Sequence, residues 1–163
     1  MQSPREFEVD FRIEFAHYVE ATLRAHGEAY MRRCVDSVDG LGLLAKDIVG
    51  LLGRTVADTA ASWEMYGQTL WVLNRRSDQI SVNLLEFLET QQSLPNDHYA
   101  TVYRFSRCAF FVSVDFIDFV AAVERAFADL EKNGFDKNYY HWAQVYPYKE
   151  VEELRRFLRG VRH

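Results

Sequence analysis

Hydrophobic and polar positions alternate strictly through Phe7-Glu8-Val9-Asp10-Phe11-Arg12-Ile13-Glu14-Phe15. On a strand all the apolar side chains of this run share one face. On a helix Phe7, Phe11 and Phe15 would oppose Val9 and Ile13. A competing signal precedes it, because Ser3-Pro4-Arg5-Glu6 reads as a capping box with proline at the first helical position. The alternation is the longer pattern, and it predicts a strand over 7–15.

From His17 the period changes. Tyr18, Thr22, His26 and Tyr30, with Val19, Leu23, Met31 and Cys34, recur at helical spacing and predict a helix from His17 to about Ser37. Asp39-Gly40 breaks it. Leu41 to Leu52 predicts a second helix, with Leu44, Ile48, Leu51 and Leu52 on one side and Gly53 at its C-terminal cap. Arg54 to Ser62 is small and polar and reads as a loop. The β signal then returns, with strands expected over Trp63–Tyr66, Thr69–Leu73, Gln79–Phe87 and Tyr99–Val112. Asn74–Asp78 and Gln91–His98 are the intervening turn and loop, and Ser106-Arg107 is a possible interruption of the last strand. Ser113 is the expected N-cap of a helix with Asp115 in its first turn and Phe116, Val120, Val123, Phe127 and Leu130 inward, ending at Asn133-Gly134. An aromatic connection, Asn138 to Pro147, leads to a last helix over Lys149–Arg159 with Val151, Leu154, Phe157 and Leu158 buried. The whole predicts one α+β domain over 1–163, a small antiparallel sheet in mid-chain forming a single layer against about four helices.

Composition supports a folded chain: 48% of the 163 residues are hydrophobic and 15% aromatic, with a formal net charge of −5. That balance gives no phosphate-binding surface, and no nucleic-acid partner is expected. The basic cluster Arg155, Arg156, Arg159 and Arg162 reads as the cationic end of a helix. No apolar run approaches the ~20 residues of a membrane span, and no secretion signal opens the chain, so a cytoplasmic location is expected. Cys34 and Cys108 each sit among apolar residues and are expected as buried free thiols.

The candidate chemistry begins with paired acids. Glu86-x-x-Glu89 and Asp115-x-x-Asp118 would each present two carboxylates to one side of a helix, as a hard divalent cation requires. The arrangement resembles the helical nucleotide pyrophosphatases of the MazG and dimeric dUTPase type, in which a Glu-x-x-Glu helix faces a Glu-x-x-Asp helix. The resemblance implies a metal-dependent hydrolase and requires residues 81–89 to be helical. Glu14-x-x-His17 matches a single copy of the di-iron carboxylate motif, which needs two. Ser113 and Cys108 are candidate nucleophiles without a Gly-x-Ser-x-Gly elbow, and His17, His26, His98, His141 and His163 are scattered. Gly40-Leu41-Gly42 is too short for a phosphate loop. No cofactor motif is present, and none is expected to bind.

Two features suit a binding surface instead. Glu6, Glu8, Asp10 and Glu14 would line one face of the first strand as a negative stripe able to steer a basic protein. Tyr139, Tyr140 and Trp142 are residue types favoured at protein interfaces. From Trp63 to Leu158 the element order is similar to that of small α+β immunity proteins found beside bacterial contact-dependent and polymorphic toxins. It comprises a hairpin, the run Ser113-x-x-Phe116-Ile117-x-x-Val120, the aromatic run Gly134 to Trp142, Tyr146-Pro147, and a final helix with Leu154 and Leu158. The resemblance implies an acidic, cytosolic, non-catalytic protein that neutralises a toxin domain by direct binding, and the negative stripe would suit a toxin domain with a basic surface. A small molecule held among the aromatics is a third expectation.

Overall fold

In the computed structural model, which describes residues 7–14, 18–35, 39–62, 69–133 and 145–161, the first strand forms where the alternation places it. β1 (Phe7–Glu14) pairs antiparallel with β2 (Tyr18–Ala25), and β2 with β3 (Glu28–Val35). The segment expected as a helix over 17–37 is therefore a β-hairpin. It turns at His26 and Gly27, whose φ angles are 51° and 83°. Two consecutive left-handed residues match the twist of the flanking strands, and glycine adopts that conformation without Cβ strain. The spacing of Tyr18, Thr22, His26 and Tyr30 does not separate helix from strand. Four is an even number, so residues four apart share a strand face too. The core-facing set is Val19, Ala21, Leu23 and Ala25, all buried, and its two alanines mask the alternation.

α1 (Gly40–Leu52) matches its expected segment. Asp39 caps it by accepting the Gly42 N–H at 2.9 Å. A Cβ at position 42 would lie 2.1 Å from the Asp39 carboxylate, so this cap requires glycine there. The expected loop over 54–62 contains β4 (Val56–Ser62), which pairs with β5 (Thr69–Arg76). Its small, polar residues have little strand propensity, and pairing decides the outcome. β5 pairs with β6 (Gln79–Ser93) and β6 with β7 (Tyr99–Asp115). The second sheet has the order β4-β5-β6-β7. The expected strand over Trp63–Tyr66 lies outside the described residues.

Both long strands overrun their expected ends. Gln91–Ser93 belongs to β6, and Asn74–Arg76 belongs to β5. Ser106-Arg107 does not interrupt β7. Phe87 faces Phe105 while Glu86 faces Arg107, and Leu85 faces Cys108 while Leu84 faces Phe110. Ser106 and Ala109 are thus extra residues, two bulges that bend the strand without ending it. Ser113 is likewise inside β7, opposite Ser81, because Val114 continues the buried row opposite Ile80. The helix cap is Asp115, which accepts the Ile117 and Asp118 N–H groups at 2.8 and 3.2 Å.

α2 (Phe116–Lys132) buries Phe116, Val120, Val123, Phe127 and Leu130 as expected. Its C-cap Asn133 has φ −77° rather than a left-handed value. α3 (Tyr148–Val161) buries Val151, Leu154 and Leu158, with Phe157 packed against the core. α2 seals the inner face of the first sheet: Phe7 meets Phe119 at 5.7 Å between ring centroids, and Phe11 meets Phe127 at 4.9 Å. The Tyr146 ring stands edge-on to Phe127, and its hydroxyl donates to the Phe127 carbonyl at 2.9 Å. Burial pushes that hydroxyl's pKa upward.

Of the C-terminal arginines, Arg155 reaches α2 and donates to Glu124 and Glu131 at 2.9 Å each, and Arg159 donates to Glu152 at 2.7 Å. Arg75 joins three elements. Its guanidinium donates to the Leu51 and Leu52 carbonyls at the end of α1, and to Ser77 at 2.9 Å. It lies 3.7 Å from the centroid of Phe116, the first residue of α2. The α+β class holds. Among the described residues there are two antiparallel sheets and three helices, not one sheet and about four.

Candidate protein-binding surface

The body of the second sheet ends at the row Thr69, Glu86, Arg107. Beyond it, among the described residues, only β6 and β7 continue, from Phe87 opposite Phe105 to Ser93 opposite Tyr99. This is a two-stranded ribbon of about 20 Å. The residue pairs alternate between its faces. One face presents Phe87, Phe105, Tyr103 and Tyr99, and it continues the outer face of the sheet through Leu85, Cys108 and Phe111. Phe105 and Phe111 are each 60% exposed, Tyr99 68%, and Leu88, on the opposite side of the ribbon, 61%. Phe87 and Phe105 meet edge to face at 6.0 Å, the cross-strand aromatic pair that stiffens the ribbon. A two-stranded ribbon has no core of its own, and its exposed rings make this face the candidate surface.

Farther along that outer face a polar cluster is satisfied internally. Asn74 donates to Asp58 at 3.1 Å, Arg76 to Asp58 at 3.0 Å, and Asn83 to Asn74 at 3.1 Å. The Asn74 and Arg76 hydrogen bonds hold the Asp58 carboxyl below its usual range.

A polar cluster anchors the ribbon's root. Arg107 donates to Glu86 at 2.7 Å, and the Tyr30 hydroxyl of β3 donates to the same carboxylate at 3.0 Å. Arg32 of β3 donates to the buried Thr69 at 2.9 Å. The hydrogen bond from Arg107 depresses the Glu86 pKa against the opposing effect of burial, and Tyr30 and the Arg107 and Arg32 charges add to the depression. Burial chiefly raises the Tyr30 pKa. A carboxylate depressed in the folded state stabilises fully above its ordinary pKa of 4.5, and that contribution disappears as pH falls below 4.5 through the depressed value. Glu86→Gln is therefore expected to lower the melting temperature at about pH 6. The gap to the natural chain should narrow toward about pH 3, as thermal melts across that range would show. A gap that stays constant with pH would remove Glu86 as the ionised anchor.

Of the predicted partner-binding residues, two have described side chains. Glu8 and Asp10 do share the outer face of β1. However, Arg12 donates to Asp10 at 2.8 Å, Arg24 stands opposite Glu8, and Arg33 donates to Glu20 at 3.2 Å. Among the described side chains of that face, three acids stand beside three arginines. Glu6, the Glu14 side chain, His17 and the aromatic residues Tyr139, Tyr140, His141 and Trp142 lie outside the described residues.

The paired acids are not brought together. Glu86 and Glu89 are three apart on a strand, which points them to opposite faces. Asp115 caps α2 beside Gln79, at the far end of β6. Residues 81–89 being strand overturns the facing-helix arrangement, and no group of three metal-ligating side chains occurs among the described residues. Cys108, expected as buried, is exposed, and its thiol donates to the Phe110 carbonyl at 3.3 Å within the bulge. Cys34 is buried as expected. Neither Ser113 nor Cys108 bonds a histidine among the described residues.

A cleft of about 570 Å³ opens between the N-terminal ends of α1 and α3, where Asp39, Lys46, Lys149 and Glu150 give it mixed charge. No described helix is long and apolar enough to cross a membrane. No family model matches this chain, and neither the curated proteins nor the solved structures include a significant match to it.

Proposed function

We propose that this chain is a non-catalytic protein-binding module that meets its partner with the outer face of the β6–β7 ribbon. The observation that carries the reading is the row Tyr99, Tyr103 and Phe105, exposed on a ribbon that contributes little to the core and continued by the exposed Phe111 on the outer face of the sheet. Tyrosine and phenylalanine supply large contact area at low entropic cost, and aromatic anchors of this kind dominate interface energetics. The element order shared with toxin-immunity proteins supplies the class of partner, a toxin domain neutralised by a stoichiometric cover. The described charges of the first sheet, three acids beside three arginines, add no support for a basic partner, and the ribbon calls for an apolar groove.

The test is affinity capture from the source cells with two variants. The natural chain should retain one protein in equimolar amount. Tyr103→Ser with Phe105→Ser should lose it by at least about tenfold in affinity while melting within about a degree or two of the natural chain, since exposed substitutions cost little. Glu8→Gln with Asp10→Asn should retain it. Capture that ignores the ribbon variant would overturn the assignment.

A further inference from the structure

The edge of β7 is a separate feature from its outer face. β7 ends the order β4-β5-β6-β7, so among the described residues β6 flanks one side of it and no strand flanks the other. The ladder's phase shows which backbone groups face that open side. The Leu94 N–H donates to the His98 carbonyl at 2.8 Å, the hydrogen-bonded position of the antiparallel pattern. Bonded and non-bonded pairs alternate from there. Ser93–Tyr99, Gln91–Thr101, Glu89–Tyr103 and Phe87–Phe105 are thus the non-bonded pairs. Tyr99, Thr101, Tyr103 and Phe105 therefore turn their N–H and C=O groups to the open edge. Consistently, the Val102 carbonyl faces β6, where it accepts the Thr90 hydroxyl at 3.2 Å. The run is regular from Tyr99 to Phe105, where the bulge at Ser106 stops it.

We infer that two copies of this chain pair through this edge, antiparallel about a two-fold axis at Val102, joining their four-stranded sheets into one of eight strands. A strand that pairs with its own copy must be compatible with its own reversal, and this one is. Tyr99 meets Phe105 of the second copy, Thr101 meets Tyr103, Val102 meets Val102, and Ala100 meets Arg104. Every pair on the outer face contains a ring, the cross-strand combination that stabilises sheets. Arg104 is the only charge in the run, and it faces an alanine. Moving the axis to Tyr103 sets Tyr99 against Arg107 across the bulge, and moving it to Thr101 sets Phe105 against Asp97. Each alternative shortens the ladder. The exposed rings contribute on the order of 100 Å² apiece, so the pairing belongs to the small, concentration-dependent class of interface. It does not rest on the partner-binding reading, because edge pairing lies in the plane of the sheet and leaves the outer face open.

Cysteine mapping reads the register directly. With the axis at Val102, the two Val102 residues form a non-bonded pair with Cα atoms about 4.5 Å apart, within disulfide reach. The two Thr101 residues are offset along the strands beyond the roughly 7 Å limit. In a Cys108→Ser background, Val102→Cys should cross-link to a dimer under mild oxidation at about 100 µM, the range for a small interface, while Thr101→Cys should not. Sedimentation of the natural chain should show its mass doubling as concentration rises. Thr101→Pro keeps the β6–β7 ladder, because the lost N–H faces outward, and should stay monomeric with unchanged circular dichroism. A natural chain of monomer mass throughout, or equal cross-linking at 101 and 102, would overturn the inference.

Discussion

Phe127→Ala is expected to remove about 3–5 kcal/mol of unfolding free energy, a large part of the roughly 5–15 kcal/mol that holds a domain of this size. The side chain is fully buried on α2. It packs on Phe11 of β1 at 4.9 Å and on Tyr146 at 6.0 Å, while its own carbonyl accepts the Tyr146 hydroxyl. Those neighbours belong to a sheet and to the approach to α3, each fixed by other contacts, so the cavity left by alanine cannot collapse. Equilibrium urea unfolding would measure the loss as a lower midpoint at an unchanged slope. A loss below about 1 kcal/mol would mean that the first sheet is not packed on α2 as described.

Arg75→Ala is expected to cost about 2–4 kcal/mol, for a different reason. The guanidinium satisfies two C-terminal carbonyls of α1 and the Ser77 carbonyl while covering the Phe116 ring. Alanine removes this donor from all three carbonyls, of which Leu51 keeps the Arg54 N–H at 3.2 Å, and takes the cation from the ring. Arg75→Lys should recover less than half of the loss. One ammonium cannot span the planar fork's contacts or stack on the ring. Full rescue by lysine in the same unfolding assay would reduce the role of Arg75 to its charge.

The sequence pattern located these two residues unequally. Phe127 sits in the regular series from Phe116 to Leu130, where helical spacing and burial agree, and the structure keeps every member of it. Arg75 stood in an expected turn, and only the extension of β5 by pairing makes it a core-edge residue. The β2–β3 hairpin was hidden because even spacings fit both periods and its alanines muted the alternation. β4 was hidden because small polar residues become a strand only when a neighbour supplies the ladder. The ribbon was misplaced for a related reason. Gln91, Gln92 and Ser93 have no strand propensity of their own, and they are strand because the β6–β7 register carries on through them, opposite Thr101, Ala100 and Tyr99. The one local sign of an exposed surface was that aromatic residues continued through β7 while the strand opposite turned polar.

Both sheets connect only strands adjacent in sequence, which has a kinetic consequence. Each pairing closes a short loop, so strand formation carries little of the entropy that slows folding of non-local sheets. The long closure is the docking of α2 on β1, where Phe7 waits for Phe119 and Phe11 for Phe127. During synthesis the first hairpins can form early, yet their apolar face has no cover until the 80 residues between Val35 and Phe116, and α2 after them, have been made. The rate at which this chain reaches its native state is therefore set by when α2 arrives, and until then the emerging N-terminal sheet is the segment most in need of protection from other chains.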